Sequence, residues 1–68
     1  MPKSCFLVRL LGYGRPFILE DHDGNRCHTL ATACAVAEMV YGSEWAEVTD
    51  GETETDRDSA IDAGLTQY

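Results

Sequence analysis

One amphipathic helix in the middle of the chain, predicted over Leu30–Tyr41, limits what this sequence can fold into. Thr29 (or His28) is placed to cap its first turn, and Gly42 stands where a residue of positive φ ends a helix. The expected apolar stripe consists of Leu30, Ala33, Cys34, Val36, Ala37, Val40 and Tyr41. Because several of these side chains are small, we expect the helix to lie close against a sheet.

The segments before the helix have the alternating pattern of β-strands. Cys5–Leu11 is the first predicted strand, with Phe6, Val8 and Leu10 on one face and Leu7, Arg9 and Leu11 on the other. A Gly- and Pro-containing break at residues 12–16 precedes a second, antiparallel strand, Phe17–Glu20, whose inner residues would be Phe17 and Leu19. The Asp-Gly turn in residues 21–25 then predicts a brief third strand, Arg26–His28.

After the helix, Glu44–Asp50 is predicted as a strand with Trp45 on one face and Ala46 and Val48 on the other. Residues 51–58 contain no apolar side chain. They either extend a hairpin through the Asp50-Gly51 turn or form a solvated loop, and both interpretations stay open. A short terminal helix is expected within residues 59–66, with Ile61, Leu65 and Tyr68 on one side.

These elements predict an α+β fold in which one helix packs on one face of a small antiparallel sheet, in the order β-β-(β)-α-β. The 68 residues have room for a single domain, 1–68. Its compact core is expected at about residues 4–50, followed by an acidic segment at 50–58 and the terminal helix.

The charge distribution divides the chain into two unequal halves. Residues 1–37 contain four basic and three acidic side chains, whereas residues 38–68 contain nine acidic side chains and only Arg57 as a base, a net charge of −8. Such a half repels other polyanions, so we expect no direct binding to nucleic acid or to anionic membranes. The complementary partner is a basic protein surface.

Metal-binding and catalytic patterns are weak in this sequence. His22, Cys27, His28 and Cys34 are zinc-ligand types, but they lack a paired Cys-x-x-Cys spacing. The segment Asp21–Asn25 resembles a calcium loop, yet its glycine comes too early for one. A chain this short offers little depth for a pocket that perturbs a catalytic carboxylate. We therefore expect no enzyme activity, no metal and no cofactor.

Cysteine usage and the N-terminal residues predict a cytoplasmic location. Three cysteines cannot form a complete set of internal disulfides, which favours reduced thiols. The apolar run Cys5–Leu11 is interrupted by Arg9 and is too short for a secretory signal or a membrane span.

The acidic half supplies the candidate binding residues. Glu52, Glu54, Asp56 and Asp58 occupy every second position, so an extended chain would project all of them from one side, about 6.7 Å apart. That spacing is about twice the phosphate repeat along one DNA strand. The full predicted partner-binding set is Glu44, Glu47, Asp50, Glu52, Glu54, Asp56 and Asp58.

In size, charge layout and sheet-plus-helix architecture the chain resembles the small acidic anti-CRISPR proteins encoded by bacteriophages. The resemblance covers the whole chain and rests on no motif. It implies a non-enzymatic inhibitor that imitates DNA, binds a CRISPR effector complex in the bacterial host cell and blocks access to the target DNA or the PAM. No functional residue is carried over from the family.

A second hypothesis is an interaction or accessory module that acts through shape and apolar contacts, for instance a homodimer joined through an exposed edge strand. The sequence leaves the oligomeric state open. A third, metal-dependent enzyme hypothesis would require bound zinc.

Overall fold

The computed structural model describes residues 5–12 and 14–66. Its elements, in chain order, are β1 (Leu7–Leu10), β2 (Phe17–Ile18), α1 (Leu30–Tyr41), a 3₁₀ turn (Gly42–Glu44), β3 (Trp45–Thr49), β4 (Glu54–Asp56) and α2 (Arg57–Asp62). The strands form one four-stranded sheet in the order β2-β1-β3-β4, and every neighbouring pair is antiparallel. The α+β class with a small antiparallel sheet is therefore confirmed.

The sheet has two chemically different faces, and the strand register assigns each residue to one of them. Val8 is opposite Phe17 on one side and Val48 on the other, and Val48 is opposite Thr55, so these side chains share a face. We call it the helix face because α1 packs there. The second face, called the open face, carries two rows: Ile18, Leu7, Thr49 and Glu54, then Arg9, Glu47 and Asp56.

The core lies between the helix face and the two helices. Val8, Val48 and Trp45 are almost completely buried there against α1, together with Ala60 of α2. Cys27 and Cys34 belong to the same cluster. No described side chain that the register places on the open face is fully buried.

Helix α1 has the predicted bounds and the predicted cap. Thr29 is extended, and its hydroxyl accepts a hydrogen bond from the N–H of Thr32 at 3.2 Å. Gly42 has a φ of 59°, and its N–H donates to the carbonyl of Glu38. The predicted position of Val40 is wrong, because the buried part of the stripe ends at Ala37, one turn earlier, and leaves Val40 46% exposed.

The first hairpin differs from expectation at the strand ends. Phe17 does face α1, but on a two-residue edge strand it stays 39% exposed, with its ring edge-on to Tyr41 at 5.9 Å. The predicted third strand is wrong: only a bridge between Glu20 and Arg26 forms. The chain turns inward at once, and Cys27 is buried in the core.

Strand β3 contains a β-bulge that reverses one prediction. Arg9 pairs with Glu47, yet Leu10 pairs with Trp45, so Ala46 is an extra residue without a partner on β1. The bulge puts Trp45 on the same face as Val48, and both are buried. The expectation that Trp45 faces away from Val48 is therefore wrong.

Of the two alternatives for the acidic segment, the structure contains the hairpin and not the solvated loop. β4 pairs with β3, and the paired residues run from Glu54 opposite Thr49 to Asp56 opposite Glu47. Helix α2 follows without a break and starts before the predicted residue 59, because Asp56 caps it by accepting from the N–H of Ser59 at 2.9 Å. Its buried residue is Ala60, whereas Ile61 is 46% exposed; Tyr68 lies outside the described residues.

A candidate acidic interface

The predicted row of alternating carboxylates is divided among a turn, a strand and a helix. Glu52 lies in the turn of the hairpin, Glu54 and Asp56 lie on β4, and Asp58 lies in the first turn of α2. One continuous extended row of four is therefore wrong, because the chain turns at Gly51 and coils after Asp56. We call Glu52, Glu54, Asp56 and Asp58 the acidic edge, since they follow the outer strand of the sheet.

Two members of the predicted set hold the hairpin and α2 in place. Oδ1 of Asp50 accepts from the N–H groups of Glu52 and Thr53, both at 2.9 Å. These bonds, the one from Thr53 first, lower the pKa of Asp50. Hydrogen bonds from the side chain and the N–H of Ser59 likewise lower the pKa of Asp56. Both carboxylates therefore stay charged to a lower pH than an unperturbed aspartate, and they fix the backbone that carries the other acidic residues.

Glu47 is neutralised on the open face. Its Oε1 accepts from Nη2 of Arg9 at 2.9 Å across the β1–β3 pair. On its other side it lies directly opposite Asp56, and like charges in that position repel. Arg9 thus offsets the repulsion between two carboxylates that the fold brings together.

Arg57, the single base of the acidic half, is paired with a carboxylate of α1. Its Nε and Nη2 donate to the two carboxylate oxygens of Glu38 on α1, at 2.9 and 3.0 Å. The indole N–H of Trp45 donates to the same carboxylate at 3.1 Å. The Arg57 bonds are the main reason that the pKa of Glu38 is lowered, and Glu38 in turn raises the pKa of Arg57.

The remaining carboxylates are free to contact a partner. Glu44, Glu52, Glu54 and Asp58 are exposed, and within residues 5–12 and 14–66 their side chains have no ion pair. Glu44 is in the 3₁₀ turn before β3, separate from the acidic edge. The predicted set therefore divides into residues that build the surface and residues that present charge.

A groove opens beside the acidic edge at the β-bulge, which sequence reasoning did not identify. It has a volume of about 210 Å³ and is lined by Leu11, Ser43, Trp45, Ala46, Asp56, Arg57 and Asp58. We call it the bulge groove. Its exposed apolar wall, Leu11, is visible only in the structure, and the bulge itself leaves no local pattern in the sequence.

The metal-ligand types of the sequence lie in different surroundings. Cys27 and Cys34 are buried in the core, where burial raises both thiol pKa values, that of Cys34 to about 11. Nε2 of His22 lies 3.0 Å from Sδ of Met39 on the surface. In the described part of the chain, no three His, Cys, Asp or Glu side chains come together as a metal site.

The helices of the described chain are short. The longest, α1, has 12 residues, and no helix among the described residues combines the length and the apolar character needed to cross a bilayer. Comparisons with protein-family models, with curated proteins and with solved structures find no match to this chain.

Proposed function

We propose that this protein is a non-enzymatic inhibitor that binds a nucleic-acid-binding protein, with a CRISPR effector complex as the expected class. Its acidic edge would occupy the basic groove meant for DNA and block access to the target DNA or the PAM. The observation that carries the proposal is the separation of charges: the exposed carboxylates face outward, while Arg57 is bound to Glu38.

The ordered backbone of the acidic edge supports a role in binding and not only in keeping the protein soluble. A solubilising flank needs no particular conformation, yet here Asp50 orders the turn and Asp56 joins β4 to α2. Along β4, Glu54 and Asp56 are two residues apart, which places their side chains about 6.7 Å apart on the same face. Carboxylates on an ordered edge lose little entropy when they meet a basic surface.

The partner's charge follows from the open face. Its side chains include Arg9 but also Glu47, Glu54 and Asp56, so a second copy of the chain would be repelled there. A surface rich in lysine and arginine would be attracted. Release of the counterions condensed around such surfaces would make the association strongly dependent on salt.

A competition assay tests this proposal. The wild-type chain is added to a purified CRISPR effector complex with fluorescently labelled target DNA, and displacement of the DNA is measured between 50 and 300 mM salt. We expect displacement at low salt and its loss at high salt. The same assay with other DNA-binding proteins captured by the immobilised chain extends the test beyond the expected class.

The matched variants differ in the position of the reversed charges but not in their number. The first is Glu52→Lys, Glu54→Lys and Asp58→Lys, which spares the carboxylates that hold the fold. The control is Glu20→Lys, Asp23→Lys and Asp62→Lys, also three exposed acids. Displacement should be lost with the first triple and kept with the control; equal behaviour of the two would contradict an acidic interface.

A second candidate function rests on a different observation. Leu11, Phe17, Ile18 and Val40 are exposed large apolar side chains, which suits an accessory module or a homodimer held by apolar contacts. This alternative requires a mass in sedimentation that rises with protein concentration and hardly responds to salt.

A further inference from the structure

We propose that the bulge groove receives one cationic side chain, a lysine or an arginine, from the basic partner. This inference rests on the proposed function and assigns a specific position to the contact. It starts from the backbone of β3. Ala46 has no partner on β1 because of the bulge, and pairing with β4 already ends at Glu47–Asp56. The sheet is therefore open on both sides of Ala46, and the groove lies at this opening.

The lining suits the stem of a long side chain. Leu11 is 60% exposed and forms an apolar wall, and Ala46 and the buried Trp45 also line the groove. The volume of about 210 Å³ is below the roughly 300–1,000 Å³ of sites for drug-sized ligands. A single side chain fits this scale, and lysine and arginine place apolar stems along such surfaces while their charged heads stay near water.

The rim suits the charged head. Asp58 is exposed, with no ion pair among the described residues, and Asp56 lines the same groove while its carboxylate caps α2. Arg57 also lines the groove, but its cation is neutralised by two hydrogen bonds to Glu38. An anion would meet two carboxylates at this rim, and an uncharged apolar side chain would desolvate them without compensation. Charge complementarity therefore selects the cation.

Trp45 makes the groove observable, because it is the only tryptophan of the chain. Hexaarginine and hexalysine peptides are titrated against the full chain at 150 mM salt, with hexacitrulline as an uncharged analogue of the arginine peptide. Binding is followed by tryptophan fluorescence and by amide chemical shifts. We expect both cationic peptides to bind, the citrulline peptide not to bind, and the largest shifts at Leu11, Ser43, Ala46 and Asp58.

Two charge-neutralising variants separate the groove from the surface around it. Asp58→Asn removes a rim carboxylate and should weaken hexaarginine binding about 2- to 5-fold. Glu52→Gln removes one charge from the far end of the acidic edge, on the order of 10 Å along the hairpin from Asp56, beyond the Debye length of about 8 Å at this salt. It should change the affinity by less than about 1.5-fold. Circular dichroism of both variants checks that each is folded.

The outcomes distinguish this inference from the proposed function. Equal weakening by the two variants, or shifts centred on residues 52–54, would overturn the groove and leave an acidic interface intact. Absence of peptide binding, with DNA displacement still present, would also overturn the groove. A groove that binds both peptides in a protein that displaces no DNA would support the inference and refute DNA mimicry.

Discussion

The helix face and the open face of the sheet are built from the same strands, yet one packs in the core and the other carries charged side chains. On the helix face, Val8, Val48 and Trp45 are removed from water and bind the sheet to α1. On the open face, the neighbours of these residues, Arg9 and Glu47, form a partly exposed ion pair. One face therefore carries most of the stability and the other is free to carry charge, which is why an acidic surface is compatible with so small a core.

The comparison also separates two kinds of carboxylate. Glu38 lies at the border of the core and ties α1 to Trp45 and Arg57. Glu54 and Asp58 lie on the acidic edge, where both side chains are exposed. Substitutions on the two faces should consequently separate loss of stability from loss of binding.

The largest effect is expected from Trp45→Ala, because this side chain is 1% exposed and the variant leaves a cavity in the core. We expect a loss of about 3–5 kcal/mol in the free energy of unfolding, enough to leave much of a marginally stable small domain unfolded at 37 °C. Urea denaturation followed by far-UV circular dichroism measures it. A loss below about 1 kcal/mol would mean that Trp45 does not anchor the helix face.

Alkaline pH should act on the helix face through Cys34. Burial raises the pKa of this thiol from 9.0 to about 11, so the folded state favours the neutral form. The stabilisation is complete below pH 9 and is lost as the pH rises towards 11, by about 2–3 kcal/mol in total. Urea denaturation between pH 8 and 11 tests this. In Cys34→Ala the decline should be smaller, and an unchanged decline would assign it to other groups.

Acid should act on the other side of the sheet, through carboxylates that hold the hairpin. The pKa of Asp56 is lowered by Ser59, so the unfolded state binds more protons in the acid range and stability falls as the pH drops below about 4. Asp56→Asn keeps a good helix cap but removes the titration. Its thermal midpoint should match the wild type at low pH and fall less between pH 5 and 2. A slope equal to that of the wild type would contradict this role of Asp56.

The smallest effect on stability is expected from Glu54→Gln, on the exposed edge strand. Its thermal midpoint should stay within about 3 °C of the wild type, since the side chain makes no ion pair among the described residues. DNA displacement by the same variant should nevertheless weaken measurably at 50 mM salt. A large change in the thermal midpoint would show that the open face contributes to the fold as well as to binding.

Local signals in the sequence were sufficient to predict α1. For the acidic segment they predicted two alternatives, one of which was the hairpin. Thr29, Gly42 and the intervening stripe specify a helix through contacts within a few residues, so its bounds could be predicted. The brief strand at Arg26–His28 could not be rejected in the same way, because its failure depends on Cys27 entering a core assembled from distant segments.

The candidate site was predictable in composition but not in geometry. The acidic residues, and with them the proposal of a basic partner, follow from a count along the chain. Which of them present charge depends on tertiary partners: Arg9 neutralises Glu47 across 38 positions, and Glu38 holds Arg57 across 19. The groove was not predictable at all, because a bulge arises when two strands far apart in sequence pair with unequal numbers of residues.

The sequence by itself determined the capped helix α1 with its bounds and an acidic half with one base, since each depends on neighbours in the chain. Only the tertiary structure decided that Trp45 faces the core, that Arg57 pairs with Glu38 of α1, and that a groove opens at Ala46. The physical reason is that strand register and ion pairing join residues far apart in the chain, and no local pattern specifies which distant partner a backbone group or a charge will meet.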